Sequence, residues 1–477
     1  MKRIFPFLLL IIIISKIPVL TGCANMIPPQ GGARDSLPPY LIKASPGDST
    51  RNFTGNRITF SFSEFVDLQN IQENLLVSPS PKMNPLVESK LNTVTVRIKD
   101  TLESNTTYSL NFGNAIKDYN EGNVVKGFTY IFSTGQYIDS LELHGNVVLA
   151  ETGKTDSTLI VILHTNDDDS AVVNEKPRYI AKLDGKGNFV FKNLPPKTYY
   201  LYALKDEGGT HRYFSDKQLF AFADSPVVAR SKSEPVTLYA YAPKPVTLQT
   251  IMQSLNAGSK KKGIAESADK RLKYQTNLIN KQQDLQGHLI ITFEQPLRLF
   301  DSSKIRLYTD STFNPVAAYK FEKDSSNRKL QLIVTWKENT LYHIILDKDF
   351  ADDSSGKKLL KTDTLSFKTK KLTEYGSLQL KFRNLDLTKN PVLQFLTNDF
   401  IYKSFPLSSS SFSQQLFLPG EYELRILYDE NKNGLWDPGQ FFGKHKQPEI
   451  VKPIERKISV KPAWQNEVEI EAPSNSP

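Results

Sequence analysis

Four residues recur in this chain at one constant separation. Asn105, Tyr108, Asp118 and Gly122 reappear as Asn339, Tyr342, Asp352 and Gly356, each 234 positions later. Alternating apolar and polar residues flank both sets. Arg57 to Phe62 and Val94 to Ile98 precede the first, and Phe128 to Thr134 closes it. His288 to Phe293 and the series Leu330, Leu332, Val334, Trp336 precede the second, and Leu365 to Thr369 closes it. A period of two is the signature of a half-buried strand. Unrelated strands would not hold one register through four positions, so the spacing predicts a duplicated β-sandwich.

A second pattern lies between and after these copies. Tyr199, Leu201 and Asp206 return as Tyr422, Leu424 and Asp429 at a separation of 223. Each set follows a Leu-Pro pair, Leu194-Pro195 and Leu418-Pro419. Leu159 to Leu163 is an uninterrupted apolar run of buried-strand type, and Asp184-Gly185-Lys186-Gly187-Asn188 is a tight turn. The chain therefore reads A–B–A′–B′, an all-β series of four small sandwiches of about 100 residues each. Its 28 Phe and 20 Tyr suit strands. Charged residues at 23% and hydrophobic residues at 39% exclude wholesale disorder and a multi-span membrane protein.

The first residues are an address. Met1-Lys2-Arg3 is a positive start, Ile4 to Ile14 is apolar but for Pro6, and Leu20-Thr21-Gly22-Cys23 follows. That order is a secretory signal whose apolar core is too short to span a bilayer. Cys23 is the only cysteine, so no intramolecular disulfide forms. The Leu-Thr-Gly-Cys run resembles the bacterial lipobox, which implies lipidation of Cys23 and a membrane anchor through it. The net charge is +9, and the leader holds three of the basic residues and no acidic one, leaving +6 on the mature chain. The basic residues are scattered, which argues for a solvated surface and no nucleic-acid partner.

The organisation expected is a signal peptide over 1–22, a Pro- and Gly-rich tether over 23–39, A over 40–136, B over 137–247, a basic polar linker over 248–270, A′ over 271–371 and B′ over 372–477. The run Asn256 to Gly263 reads either as a solvated linker or as an anionic-lipid contact.

Ile58 to Asp67, Asn105 to Tyr108, Asp118 to Asn123 and Tyr130 to Thr134 resemble the SbsA-type bacterial Ig-like domain, whose pattern is I-x-F-x-F-S-E-x-V-D, N-T-x-Y, D-x-x-G-N and F-x-F-x-T. The A′ copy departs from it, with Glu294-Gln295-Pro296-Leu297 in the first motif and Lys357 in the third. The run Gly187 to Leu201 is similar to the prealbumin-like fold of carboxypeptidase-regulatory and collagen-adhesin B-type modules. With Cys23-Ala24-Asn25 and Gly31 to Pro39, the whole arrangement looks like Ig-like lipoproteins of the Bacteroidota type. These motifs are structural and imply no catalytic residues.

The six histidines, His144, His164, His211, His288, His343 and His445, show no zinc-ligand spacing, and nucleophile-elbow and phosphate-loop motifs are absent. Two acids converging from distant loops remain open as a third, hydrolase reading. One constellation has cation chemistry: Asp429-x-Asn431-x-Asn433-Gly434-Leu435-x-Asp437. Calcium takes six to eight oxygens, and this spacing offers side-chain oxygens at Asp429, Asn431, Asn433 and Asp437 and a carbonyl at Leu435. Gln440 stands where an EF-hand carries bidentate Glu. The other reading is a hairpin turned by Asn433-Gly434. In B, Asp206 to Thr210 lacks the spaced oxygens, and no metal is expected there.

The function these features predict is a non-enzymatic, lipid-anchored scaffold of the cell envelope, on the outer membrane, in contact with envelope protein or glycan. The alternative is a carbohydrate-binding accessory lipoprotein, for which Tyr402, Trp436 and Trp464 are candidate platform residues, each also suited to a core.

Overall fold

The computed structural model describes residues 34–231, 234–243 and 271–473. The signal peptide, Cys23, the start of the tether and the expected linker lie outside these residues. The chain is all-β. Among the described residues the α-helical pieces are single turns, Ile71–Asn74 and Ala171–Asn174. Contacts divide it into two compact units, one reaching Ile138 and the other comprising 78–80 and everything from Asp139 onward.

The first unit is an Ig-like sandwich. Leu41–Ser45, Arg57–Phe62, Thr93–Arg97 and Leu86–Lys90 form one antiparallel sheet; Leu76–Ser78, Thr107–Asn111 and Thr129–Ser133 form the other. The alternation seen in sequence becomes burial: Ile58, Phe60 and Phe62 point inward with Val94, Val96, Leu110, Tyr130 and Phe132.

The second unit holds B, A′ and B′. B and B′ share one topology. In B, Leu141–Leu149 lies between antiparallel Asn188–Leu194 and parallel Val236–Ala240. In B′, Gly376–Arg383 lies between antiparallel Ser411–Phe417 and parallel Gln465–Glu471. The facing sheets are Tyr179–Lys182, Leu159–His164, Thr198–Lys205, Phe220–Phe222, and Phe400–Pro406, Pro391–Thr397, Gly420–Tyr428, Ile450–Val460. A′ repeats the Ig-like pairing around Leu289, Ile291, Leu332, Tyr342, Ile344 and Phe367.

Both repeats extend to single hydrogen bonds. The Tyr199 hydroxyl donates to the Pro195 carbonyl at 3.1 Å, and the Tyr422 hydroxyl to the Leu418 carbonyl at 2.9 Å. Both pairs are four residues apart and 223 residues from their copies.

The repeat departs from register at the loop that follows Ile116–Asp118. In A, the buried Asp118 carboxylate closes its loop by accepting the N–H groups of Gly122 and Asn123 at 2.9 and 2.7 Å. Burial pushes its pKa up, but these backbone donors prevail and hold it below the usual carboxylate range. The residue 234 positions on is Asp352, yet loop closure falls to its neighbour. Asp353 accepts the N–H groups of Ser355 and Lys357 at 2.8 and 2.9 Å. Asp352 instead takes the Arg298 guanidinium at 2.6 Å. The A′ loop is one residue tighter: Asp118 N–H reaches the carbonyl five residues on, and Asp353 N–H the carbonyl four residues on. The constant spacing at Asp352 therefore does not mark an equivalent carboxylate.

Candidate functional site

The strand Leu159–His164 is buried along its whole length. Alternate side chains serve two cores. Leu159, Val161 and Leu163 face the interior of B. Ile160 and Ile162 face an aromatic cluster with Tyr202, Leu204, Tyr213, Phe220, Phe222 and Tyr241, which is completed by Phe441 from B′.

Phe441 belongs to the segment between the strands ending at Tyr428 and beginning at Ile450, which contains the cation-type constellation. Gln440 and Lys446 pair through both backbone bonds, at 2.8 and 2.9 Å, and present Phe441 from a short loop. Its ring centroid lies 4.9 Å from Phe222, 5.3 Å from Phe220 and 5.6 Å from Tyr202. His445 stacks on it at 4.9 Å and turns its Nε2 to the Asp169 carboxylate of B at 2.8 Å. Gln447 donates to the Phe222 carbonyl and to Asp224, at 3.0 and 2.7 Å. Val451 N–H donates to the Ala150 carbonyl at 2.8 Å, and Lys154 pairs with Asp399. Close approach sets two glycines. A Cβ at Gly439 would lie 2.7 Å from the Tyr241 ring and 2.8 Å from the Lys446 carbonyl. One at Gly153, whose φ is +69°, would lie 2.3 Å from Pro453.

The constellation itself folds as one loop. Asp429 is 2% exposed and accepts the N–H groups of Lys432 at 2.7 Å and Gly434 at 2.7 Å. Asn431 and Asn433 both direct side-chain amides to one oxygen of Asp437, the second at 2.8 Å. Leu435 N–H donates to the Asn433 side-chain oxygen at 2.6 Å. Sequence reasoning missed Glu449, twenty positions after Asp429. It is buried and braces the loop at two points, accepting Glu430 N–H at 2.9 Å and Asp437 N–H at 3.0 Å. Burial raises its pKa, the Asp429 and Asp437 charges add to this, and the two backbone donors oppose it. Trp436 anchors the loop by donating to the Glu449 carbonyl at 2.7 Å. An ion here would rest on two carboxylates, two amide oxygens and the Leu435 carbonyl. Among the described residues no group of three or more His, Cys, Asp or Glu is placed to hold a metal.

The remaining sequence candidates separate. Tyr402 packs on Phe417 and Tyr422 in the B′ core, Trp436 packs beside Leu427 and Val451, and Trp464 is exposed under Lys461 at 5.0 Å. The structure does not gather these three into one platform. Two histidines on strands, His164 and His343, are buried with an Nε2 that has no hydrogen-bond partner.

Fold and site together define an all-β chain of tandem β-sandwich modules in which two strand topologies each occur twice. Residues 35–134 match the family of bacterial Ig-like domains. Three solved structures show low likeness. The Bacillus anthracis TIE protein has 9% identity and a TM-score of 0.17, covering 93% of this chain and 76% of that one. The N-terminal part of the bacterial S-layer protein SbsC has 15% identity and a TM-score of 0.16, covering 43% and 44%. BcpA, the major pilin subunit of Bacillus cereus, has 9% identity and a TM-score of 0.17, covering 70% and 99%. No curated protein matches the sequence.

Proposed function

We propose that this chain is a non-enzymatic scaffold of the cell envelope, anchored by lipid at Cys23 to the outer membrane. The observation that carries this reading is the joining of B to B′ through Phe441. Modules so joined make a semi-rigid spacer whose end loops are free for contact with envelope protein or glycan. The Ig-like family match over residues 35–134 supports the structural role. The Leu20-Thr21-Gly22-Cys23 run supports the anchor, and multiple acyl chains hold far more firmly than one. Mass spectrometry of the native protein tests the anchor, with a diacyl- or triacyl-glyceryl Cys23 expected at the N-terminus. An unmodified Cys23, or a chain beginning elsewhere, overturns it. A glycan array tests the carbohydrate-binding alternative, which requires a glycan to bind the full chain.

The loop from Asp429 to Asp437 supports a second reading, a weak calcium site on Asp429, Asn431, Asn433, Leu435 and Asp437. Its work would be to brace the segment that carries Phe441.

A further inference from the structure

The first unit has a polarity along its strands. The chain enters at one end, where Tyr40 precedes Leu41–Ser45, and leaves at the other. There Ser133 and Gly135 carbonyls accept the N–H groups of Phe53 and Asn52, and Thr134 N–H donates to the Thr106 carbonyl. The entry end collects exposed apolar side chains. Leu37, Tyr40, Phe65, Leu91 and Tyr119 are each between 55% and 71% exposed. Their backbones meet: Ser63 N–H donates to the Tyr40 carbonyl, Val66 N–H to the Leu91 carbonyl and Tyr119 N–H to the Phe65 carbonyl, at 2.9–3.0 Å.

Leu91 is the telling member. It occupies the hairpin turn between Leu86–Lys90 and Thr93–Arg97 at φ +54°, a conformation that suits Gly or Asn and strains a branched apolar residue. Neither turn chemistry nor burial accounts for leucine there.

The tether fixes what can lie beside this end. Arg34 donates to the Glu121 carbonyl at 3.1 Å, and the Asn123 side chain to the Asp35 carbonyl at 3.2 Å. Cys23 is eleven residues before Arg34, so the chain length between them allows a separation of at most about 40 Å. We infer that the tether end of the first Ig-like unit, formed by Leu37, Tyr40, Phe65, Leu91 and Tyr119, is a contact face for the headgroup zone of a zwitterionic bilayer. Tyrosine and phenylalanine suit that zone, where an apolar ring and a polar edge are both satisfied. Asp35, Glu64 and Glu121 stand together at this end beside Arg34 and Lys90, so it presents no basic patch to an anionic surface. The inference rests on the Cys23 anchor.

The single cysteine allows a test that does not need cellular lipidation. The full mature chain is coupled through Cys23 to a maleimide lipid in phosphatidylcholine vesicles and compared with the chain capped at Cys23. Hydrogen exchange over 63–66, 91–92 and 117–121 should slow about tenfold on coupling, with 103–106 unchanged. The triple change Tyr40→Ser, Phe65→Ser and Tyr119→Ser should abolish the slowing. Leu91→Asn should reduce it while raising the melting midpoint, a combination that a purely structural leucine would not produce. Unchanged exchange in the wild-type chain overturns the proposal. So does slowing that appears only with phosphatidylglycerol vesicles and disappears in high salt, since basic residues elsewhere would then make the contact. An unlipidated native Cys23 would refute the anchor and leave the coupled-vesicle result standing.

Discussion

Tyr108 and Tyr342 hold the same corner in two Ig-like sandwiches. Each hydroxyl accepts the backbone N–H five residues upstream, Glu103 at 2.9 Å and Lys337 at 3.1 Å. Around them Thr134 and Thr369 each accept the N–H of the matching threonine, Thr106 at 3.0 Å and Thr340 at 2.9 Å. Tyr108 stacks on Phe132 and Tyr342 on Phe367, with interplanar angles of 11° and 13°. Removing either hydroxyl takes away the acceptor of that backbone N–H. Tyr108→Phe and Tyr342→Phe should each cost about 1 kcal/mol. The double change should cost the sum of the two, because the tyrosines belong to separate sandwich cores. Urea titrations of the single and double variants check this.

Phe441→Ala should loosen B′ from B. The ring is 5% exposed and fills a cluster of aromatic side chains, so truncation should cost about 3–5 kcal/mol. Hydrogen exchange should rise along Phe220–Phe222 and Ile450–Val460, and little in the first Ig-like unit. Gly439→Ala should act in the same direction, since its Cβ meets backbone on one side and the Tyr241 ring on the other.

His164 makes stability pH-dependent. Burial lowers its pKa from 6.5 to about 4, with Glu175 acting against this and Arg212 with it. The folded state therefore binds fewer protons than the unfolded state between these values. Stability is fully present above pH 6.5 and declines as pH falls toward 4, by about 3 kcal/mol in all. His164→Phe should flatten that part of the profile. Melting midpoints measured across this range, with and without the substitution, decide it.

The loop from Asp429 to Asp437 should respond to calcium. Ligand binding to the folded state alone stabilises by about 2.7 kcal/mol at a hundredfold excess over Kd. The melting midpoint of the full chain should rise with millimolar calcium and fall back with chelator. Asp429→Ala should abolish the rise. Equal destabilisation of that variant with and without calcium would leave Asp429 as the closure of a hydrogen-bonded loop, the work it does for Lys432 and Gly434 N–H.

Strand alternation and the two constant separations were legible in the chain alone, because both arise from neighbours in sequence. Ile58, Phe60 and Phe62 alternate because a pleated strand sends successive side chains to opposite faces. Tyr108 and Tyr342 recur because each bonds a backbone group five positions away. The unbroken run from Leu159 to Leu163 was legible as a buried strand for the same local reason. Tertiary structure alone decided the rest. Asp353 closes its loop in place of Asp352 because the turn shortened by one residue, which moved the donors and left Asp352 facing Arg298. Glu449 reaches Glu430 and Asp437 only after the chain has turned back on itself. Phe441 finds Phe220 and Phe222 across more than two hundred residues. No local pattern encodes that meeting, because an aromatic side chain suits any apolar surface and the sheet of B is the surface the fold leaves open to it.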